Sequence, residues 1–510
     1  MQYLLGIDIG TSGTKTVLFD IDGNTISSAT YEYPLYQPHA GWAEQNAEDW
    51  WEAVVKSIRE VLRKSSVNSE DVKGVGLSGQ MHGLVMLDKD YKVLRPSIIW
   101  CDQRTSNECV EITNKVGEKR LIEITANPAL TGFTASKIMW VKNNEPHIYE
   151  KIYKILLPKD YIRFMLTGEF ATEVSDASGM QLLDVPNRRW SDEVLEKLDI
   201  DKDFLAKVYE SVEVTGKINK KAAELTGLKE GTIVVGGAGD QAAGAVGNGI
   251  VKKGIISSTI GTSGVVFAYT DKVTIDPKGR VHTFCHAVPN TWHVMGVTQG
   301  AGLSLKWFRD NFCSDEKEVA SLTDVDVYEI LTKEAEKSTV GCEGLIYLPY
   351  LMGERTPHLD PYARGVFFGL SAKHTKRDML RAVMEGVSYS LKDCMEIIKD
   401  MGIEALEVRA SGGGGRSPLW RQMQADMYNT DVVTINSSER PALGVAILAG
   451  VGAGIYSSVS DACDNIIKVS TVQKPIEKNI SIYNSYYNVY KNLYTSLKKN
   501  FKELDEINNR

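Results

Sequence analysis

The tetrapeptide Gly-Thr-Ser-Gly occurs twice in this chain, at residues 10–13 and 261–264, each time between two runs of strand-forming residues. The first copy follows Tyr3-Leu4-Leu5-Gly6-Ile7-Asp8 and precedes the apolar residues 16–19; the second lies between residues 254–260 and 265–269. A glycine turn carrying hydroxyl side chains lets backbone N–H groups approach anionic oxygens closely. Two such loops, far apart in one chain, point to a duplicated α/β unit with an anion loop in each half and a cleft between them. A chain of 510 residues exceeds what one hydrophobic core serves, which agrees with two domains. The polar step Val251-Lys252-Lys253 sets the expected boundary, giving an N-terminal domain of residues 1–251 and a C-terminal domain of residues 252–510.

Around the first loop the pattern predicts a three-stranded meander, with Asp22-Gly23 closing its second hairpin. Trp50, Ala53, Val54, Ile58 and Leu62 recur at helical spacing and predict a helix over residues 47–63. A strand over residues 72–77 then runs into Ser78-Gly79-Gln80-Met81-His82-Gly83, and this alternation of strand and helix is that of an α/β domain. At the far end Tyr483, Tyr487, Tyr490, Tyr494, Leu497, Phe501 and Leu504 share one helical face. Such a face docks a terminal helix on its own domain, with a homodimer contact as its second use.

The net charge of −8 argues against a nucleic-acid partner, which calls for a basic face. The longest uncharged apolar stretch, residues 441–456, falls short of the roughly 20 residues a membrane span needs. It reads as a buried helix packed against a sheet. Seven cysteines without a Cys-x-x-Cys pair, and no basic leader at the N-terminus, fit a reduced cytoplasmic location. His282, Cys285, His286 and His293 flank a Pro289-Asn290 turn; alternation along two strands sends neighbouring side chains to opposite faces, so the cluster reads as a hairpin.

Four constellations carry candidate chemistry. Asp8 with Gly10, Thr11, Ser12 and Lys15 combines a phosphate loop with an acid at a strand end, placed to hold magnesium directly or through water. Gly261, Thr262 and Ser263 repeat the device. Residues 412–417, Gly-Gly-Gly-Gly-Arg-Ser, lie between a strand-like run and a helix beginning near Leu419, which makes a nucleotide cradle at a helix N-terminus. They match neither a Walker A loop nor a dinucleotide fingerprint. Asp240, inside Gly236-Gly237-Ala238-Gly239-Asp240-Gln241, is a carboxylate at a strand end among glycines, suited to take a hydroxyl proton in phosphoryl transfer; a helix N-cap is its alternative role.

These residues resemble the FGGY family of carbohydrate kinases over nearly the whole chain. Two further stretches carry the likeness: residues 132–144, Gly-Phe-Thr-Ala-Ser-Lys-Ile-Met-Trp-Val-Lys-Asn-Asn, and residues 365–370, Gly-Val-Phe-Phe-Gly-Leu, leading to Asp378-Met379 and Met384-Glu385-Gly386. Within the family the chain is most similar to the xylulokinases, on residues 78–83, 100–105, 157–161, 353–358 and 412–426. The resemblance implies two ribonuclease-H-like, actin/hexokinase-type domains flanking a deep cleft. It further implies transfer of the ATP γ-phosphoryl group to the terminal hydroxyl of a small ketose such as D-xylulose, with Mg2+. Asp240 matches the general base and a metal neighbour, Asp8 the acid near metal and phosphates, and Met81 and His82 the ketose pocket. Trp100 and Asp102 fall on the sugar-side segment. Gln241 stands where some xylulokinases carry Asn, which implies a longer or water-bridged contact to the sugar. Gly302 and Lys306 match positions near the nucleotide, and Gly412, Gly413 and Ser417 the adenosine site. Other ketoses, polyols or aldonates are the alternative substrates, and an actin-fold ATPase without a sugar is the alternative function.

Overall fold

A computed structural model describes residues 1–508. The first apolar runs form strands Tyr3–Ile9 and Gly13–Asp20, antiparallel with Asp8 opposite Lys15, and Thr25–Glu32 completes the meander. The chain then adds parallel strands beside its first one. Val72–Gly79 pairs with Tyr3–Ile9, and Ile233–Val235 and Ala238–Gly239 pair with the other edge of Val72–Gly79. Parallel strands need crossovers, and the long excursions between them supply the helices that cover the sheet. In helix Ala47–Ser65, Trp50, Val54, Ile58 and Val61 are fully buried against it. Glu48 and Asp49 in its first turn and Arg63 and Lys64 in its last complement the helix dipole.

The second sheet repeats the plan. Strands Gly254–Ile260, Gly264–Thr270 and Trp292–Thr298 form an antiparallel meander, and Ala405–Gly412 and Asp431–Ile435 join in parallel beside Gly254–Ile260. The duplication read from the two loops is therefore a duplication of topology: two ribonuclease-H-like sheets, as in the actin/hexokinase-type ATPases.

The two halves of the sequence do not build separate cores. Helix Arg440–Gly452, late in the chain, packs on the first sheet, where Ala442, Val445 and Ala446 share one cluster with Leu4, Val17, Phe19 and Val246. Gly76 permits this approach, since a Cβ there would stand 2.0 Å from the Val445 carbonyl oxygen. The apolar stretch over residues 441–456 is thus largely a buried helix against a sheet, and no helix among the described residues is long and apolar enough to cross a membrane. The terminal helix Glu477–Asn508 docks on the second domain as its tyrosine spacing predicts: Tyr483, Tyr487 and Tyr494 are buried and donate hydrogen bonds to Glu385, Asp393 and Asp360. Leu504, at the end of that face, is 48% exposed.

Candidate active site

Register in the first sheet sets the strands that lead to the predicted acids side by side. Asp8 and Ala238 both pair with Ser78, and Ile9 and Gly239 both pair with Gly79. Three adjacent parallel strands therefore end side by side, carrying Asp8, the Met81-His82 segment and Asp240. Ends of parallel strands are where α/β proteins place ligands, because the chain leaves the sheet there and opens a crevice. Asp240 opens helix Asp240–Gly247, whose cap is Gly239, so its carboxylate is not spent as an N-cap.

Electrostatics separate the two acids. Burial, and then the nearby Asp8 charge, push Asp240 up to about 7. Burial also raises Asp8, while a hydrogen bond from Ser78 Oγ at 2.7 Å and the charge of Lys15 pull the other way. Asp240 is consequently poised near neutrality. Gln241 contributes its backbone N–H and side-chain amide to the Asp240 carboxylate. Met81 packs beneath the same turn: a Cβ on Gly239 would lie 2.9 Å from Met81 Cγ.

His82 has a left-handed backbone, φ 71°. Its carbonyl accepts from Lys137 Nζ at 2.8 Å and from Thr134 Oγ1 at 3.1 Å. The ring Nδ1–H donates to the Gly179 carbonyl at 2.8 Å, which fixes the neutral tautomer, and burial holds its pKa down at about 3. Phe133 packs against the ring, 4.8 Å between centroids. Held on both sides, the imidazole is fixed in place and is not a titrating group at neutral pH.

The nucleotide-side residues converge on a cavity of about 760 Å³ in the second domain, lined by Gly261, Thr262, Gly302, Lys306, Gly413 and Ser417 among others. Gly302 N donates to the Gly261 carbonyl at 2.8 Å and Leu303 N to the Thr262 carbonyl at 3.1 Å, so the start of helix Ala301–Phe312 clamps the second loop through backbone alone. Only glycine fits at 302, where a Cβ would come within 2.3 Å of the Gly261 oxygen. Ser417 Oγ caps helix Pro418–Tyr428 by accepting from Trp420 N. Gly412 and Ser263 fall outside the lining; Gly412 instead ends the strand paired with Ile260.

Some expected contacts are made otherwise. Asp102 is fully buried and gives its carboxylate to Arg104 at 2.7 Å and to the Ala43 N–H at 2.6 Å, a paired internal charge that fixes its own loop. Trp100 is 39% exposed and donates from Nε1 to Thr11 Oγ1 at 2.9 Å, which places it over the first loop. Lys15 pairs with Glu439 at 2.5 Å, tying that loop's second strand to the crossing helix. Lys306 is largely exposed and weakly paired with Asp310 at 3.6 Å. In the hairpin of strands His282–Cys285 and Trp292–Thr298, His282, His286 and His293 lie in one aromatic layer with Phe267 and Phe284, while the Cys285 thiol bonds to the Val185 carbonyl.

Sequence reasoning missed the residues that shape the first loop. Tyr33 OH donates to the Gly10 carbonyl at 2.5 Å, Gln45 Nε2 to the Thr11 carbonyl at 2.7 Å, and Gln80 Nε2 to Gln45 Oε1 at 2.8 Å. Gln80 stands beside the quoted Met81-His82 pair, but nothing in a linear pattern pairs it with Gln45 or Tyr33.

Residues 3–247 match the N-terminal domain model, and residues 256–453 the C-terminal domain model, of the FGGY family of carbohydrate kinases. The chain belongs to that family. A xylulose kinase of Bacillus subtilis (strain 168) is 40% identical over 483 residues, covering 95% of each chain. A gluconokinase of the same organism is 34% identical over 484 residues, 94% of this chain and 93% of that protein. Among solved structures, a ligand-bound xylulose kinase from Lactobacillus acidophilus superposes with a TM-score of 0.92 at 27% identity, covering 99% of this chain and 100% of that one. This carbohydrate kinase therefore uses ATP as phosphoryl donor, and the glycine-lined cavity of its second domain has the composition of a nucleotide cradle.

Proposed function

We propose that this kinase phosphorylates the terminal hydroxyl of a ketopentose, converting D-xylulose to D-xylulose 5-phosphate with Asp240 as general base. The observation that carries the reading is the alignment of Asp8, Met81-His82 and Asp240 at neighbouring strand ends, with Asp240 raised to about 7. The names of the 40%-identical relatives favour xylulose over gluconate.

In this mechanism Asp240 takes the proton of the sugar's O5 hydroxyl as that oxygen forms its bond to the γ-phosphorus and the bond to the β-phosphate oxygen breaks. His82 and Met81 wall the sugar so that only one hydroxyl reaches the carboxylate. The first loop and the clamped second loop present N–H and hydroxyl donors to the phosphates, so catalysis is mostly positioning and electrostatics. Two buried carboxyls, the charge of Asp8 raising Asp240, with a hydroxyl neighbour at Ser78, suit a hard divalent cation taking carboxylate, water and phosphate oxygens. Asp8 and Asp240 would hold magnesium, directly or through water, and the ion would offset the charge of the triphosphate. Domain closure would exclude water, leaving a slow ATP hydrolysis when no sugar is present.

The test is a panel of kcat/KM values for D-xylulose, L-ribulose, L-xylulose and gluconate with saturating ATP. D-xylulose is expected to lead; a higher value for gluconate replaces the substrate, and ATP hydrolysis indifferent to every sugar replaces the reaction.

A further inference from the structure

Beneath the strand ends lies a group of five charged side chains with no solvent exposure: Lys159, Asp160, Arg163, Glu173 and Asp176. Lys159 Nζ sits at its centre, 2.9 Å from Asp160, 3.1 Å from Asp176 and 3.4 Å from Glu173. Arg163 pairs with Asp160 at 2.6 Å and donates to the carbonyls of Ala171 and Gly236. Burying so many charges is costly, and apolar residues of similar volume usually stabilise a fold as well or better. A cluster of this kind calls for another explanation, and its contacts supply one.

Glu173 caps the short helix Val174–Ser178, accepting from Ser175 N at 2.8 Å and Asp176 N at 2.9 Å, and it also accepts from Ser175 Oγ and Ser211 Oγ, each at 2.8 Å. With its proton committed to Glu173, Ser175 Oγ is free to accept, and it does so from the Gly239 N–H at 3.1 Å. Gly239 is the residue before Asp240. The same helix ends at Gly179, whose carbonyl receives the His82 ring at 2.8 Å. One helical turn thus touches the backbone that carries the base and the imidazole that walls the sugar. Arg163 reinforces the first contact through Gly236, at the other end of the glycine segment that leads to Asp240.

We propose that Ser175, oriented by the Glu173-Lys159 ion cluster, is a positioning residue for phosphoryl transfer, fixing Asp240 relative to His82 through the helix Val174–Ser178. This rests on the reading of Asp240 as base. Charged anchors suit the task because hydrogen bonds to ionised groups are directional and strong, whereas apolar packing leaves a turn free to shift. A base displaced by a fraction of an ångström no longer reaches the hydroxyl proton, although substrates still bind.

The experiment is a double-mutant cycle on the full-length enzyme with Ser175→Ala, Asp240→Asn and the pair, using D-xylulose and ATP. Ser175→Ala is expected to lower kcat about 30-fold while both KM values stay within about twofold, the size of effect that misplacement of a reacting group produces. On the Asp240→Asn background the same substitution costs nothing further, since groups that act as a unit are not additive. An equal loss on both backgrounds, or an unchanged kcat in Ser175→Ala, overturns the positioning role while leaving Asp240 as base. Near-normal turnover in Asp240→Asn instead overturns the base, and this proposal with it. Should the alanine variant not accumulate folded, Ser175→Cys, which keeps a weaker acceptor, is read in the same cycle and is expected to lose less.

Discussion

The two Gly-Thr-Ser-Gly loops are the same four residues in the same place of the same topology, yet they are held by different means. The loop at 10–13 is fixed mainly by side chains from distant segments, Tyr33 and Gln45 on its carbonyls and Trp100 on the Thr11 hydroxyl, with one main-chain bond from Tyr33 N to the Ser12 carbonyl. The loop at 261–264 is fixed by main chain, with Gly302 and Leu303 donating to its carbonyls. The difference follows what stands beside each. The first loop adjoins two buried carboxyls, Asp8 and Asp240, and a dense polar surround. The second opens on a cavity for a ligand, and every side chain added there would take up room.

Four experiments break or sharpen this contrast. The largest effect belongs to the carboxylate side: Asp240→Asn is expected to lower kcat about 10²–10⁴-fold with little change in either KM, read by a coupled assay. On the main-chain side, Gly302→Ala drives a methyl group into the Gly261 carbonyl and is expected to raise KM for ATP about 10- to 100-fold while KM for the sugar holds. A comparable rise for the sugar would show that the loops are not separate in function.

The third is pH dependence. Since the base must be ionised, kcat/KM is expected to fall about tenfold per pH unit below about 7, and this limb vanishes in Asp240→Asn. Stability moves oppositely. A carboxyl raised from 3.8 to about 7 holds its proton more tightly folded than unfolded, so stability falls as pH rises across that window. Asp240→Asn escapes the penalty, and its Tm advantage over the parent enzyme is expected to be larger near pH 8 than near pH 4. The smallest effect is Tyr33→Phe, which removes one hydrogen bond from the first loop and is expected to weaken turnover about 2- to 10-fold. No change would mean that Gln45 and Trp100 suffice to hold it.

Much of this was legible in residue order. The meander, the helix beginning at Ala47 and the tyrosine face of the last helix follow from hydrophobic period and turn chemistry, which are local properties. The pairing of Asp102 with Arg104 was not legible, because an acid in a polar motif looks the same whether it meets a ligand or an internal guanidinium. Ser175 gave no signal, since its hydrogen bond with Gly239 joins positions 64 residues apart in the chain.

The sequence alone determined that two similar sheets would form, each with a glycine turn after its first strand, because alternation, turn residues and their repetition act over a few neighbours at a time. Only the tertiary structure decided that the strands leading to Asp8 and Asp240 end side by side, that Arg440–Gly452 crosses to the other sheet, and that Lys159 holds three acids in the interior. Those outcomes depend on parallel register and on charges paired out of reach of water. Both arise from contacts between segments far apart in the chain, whose energies no local pattern records.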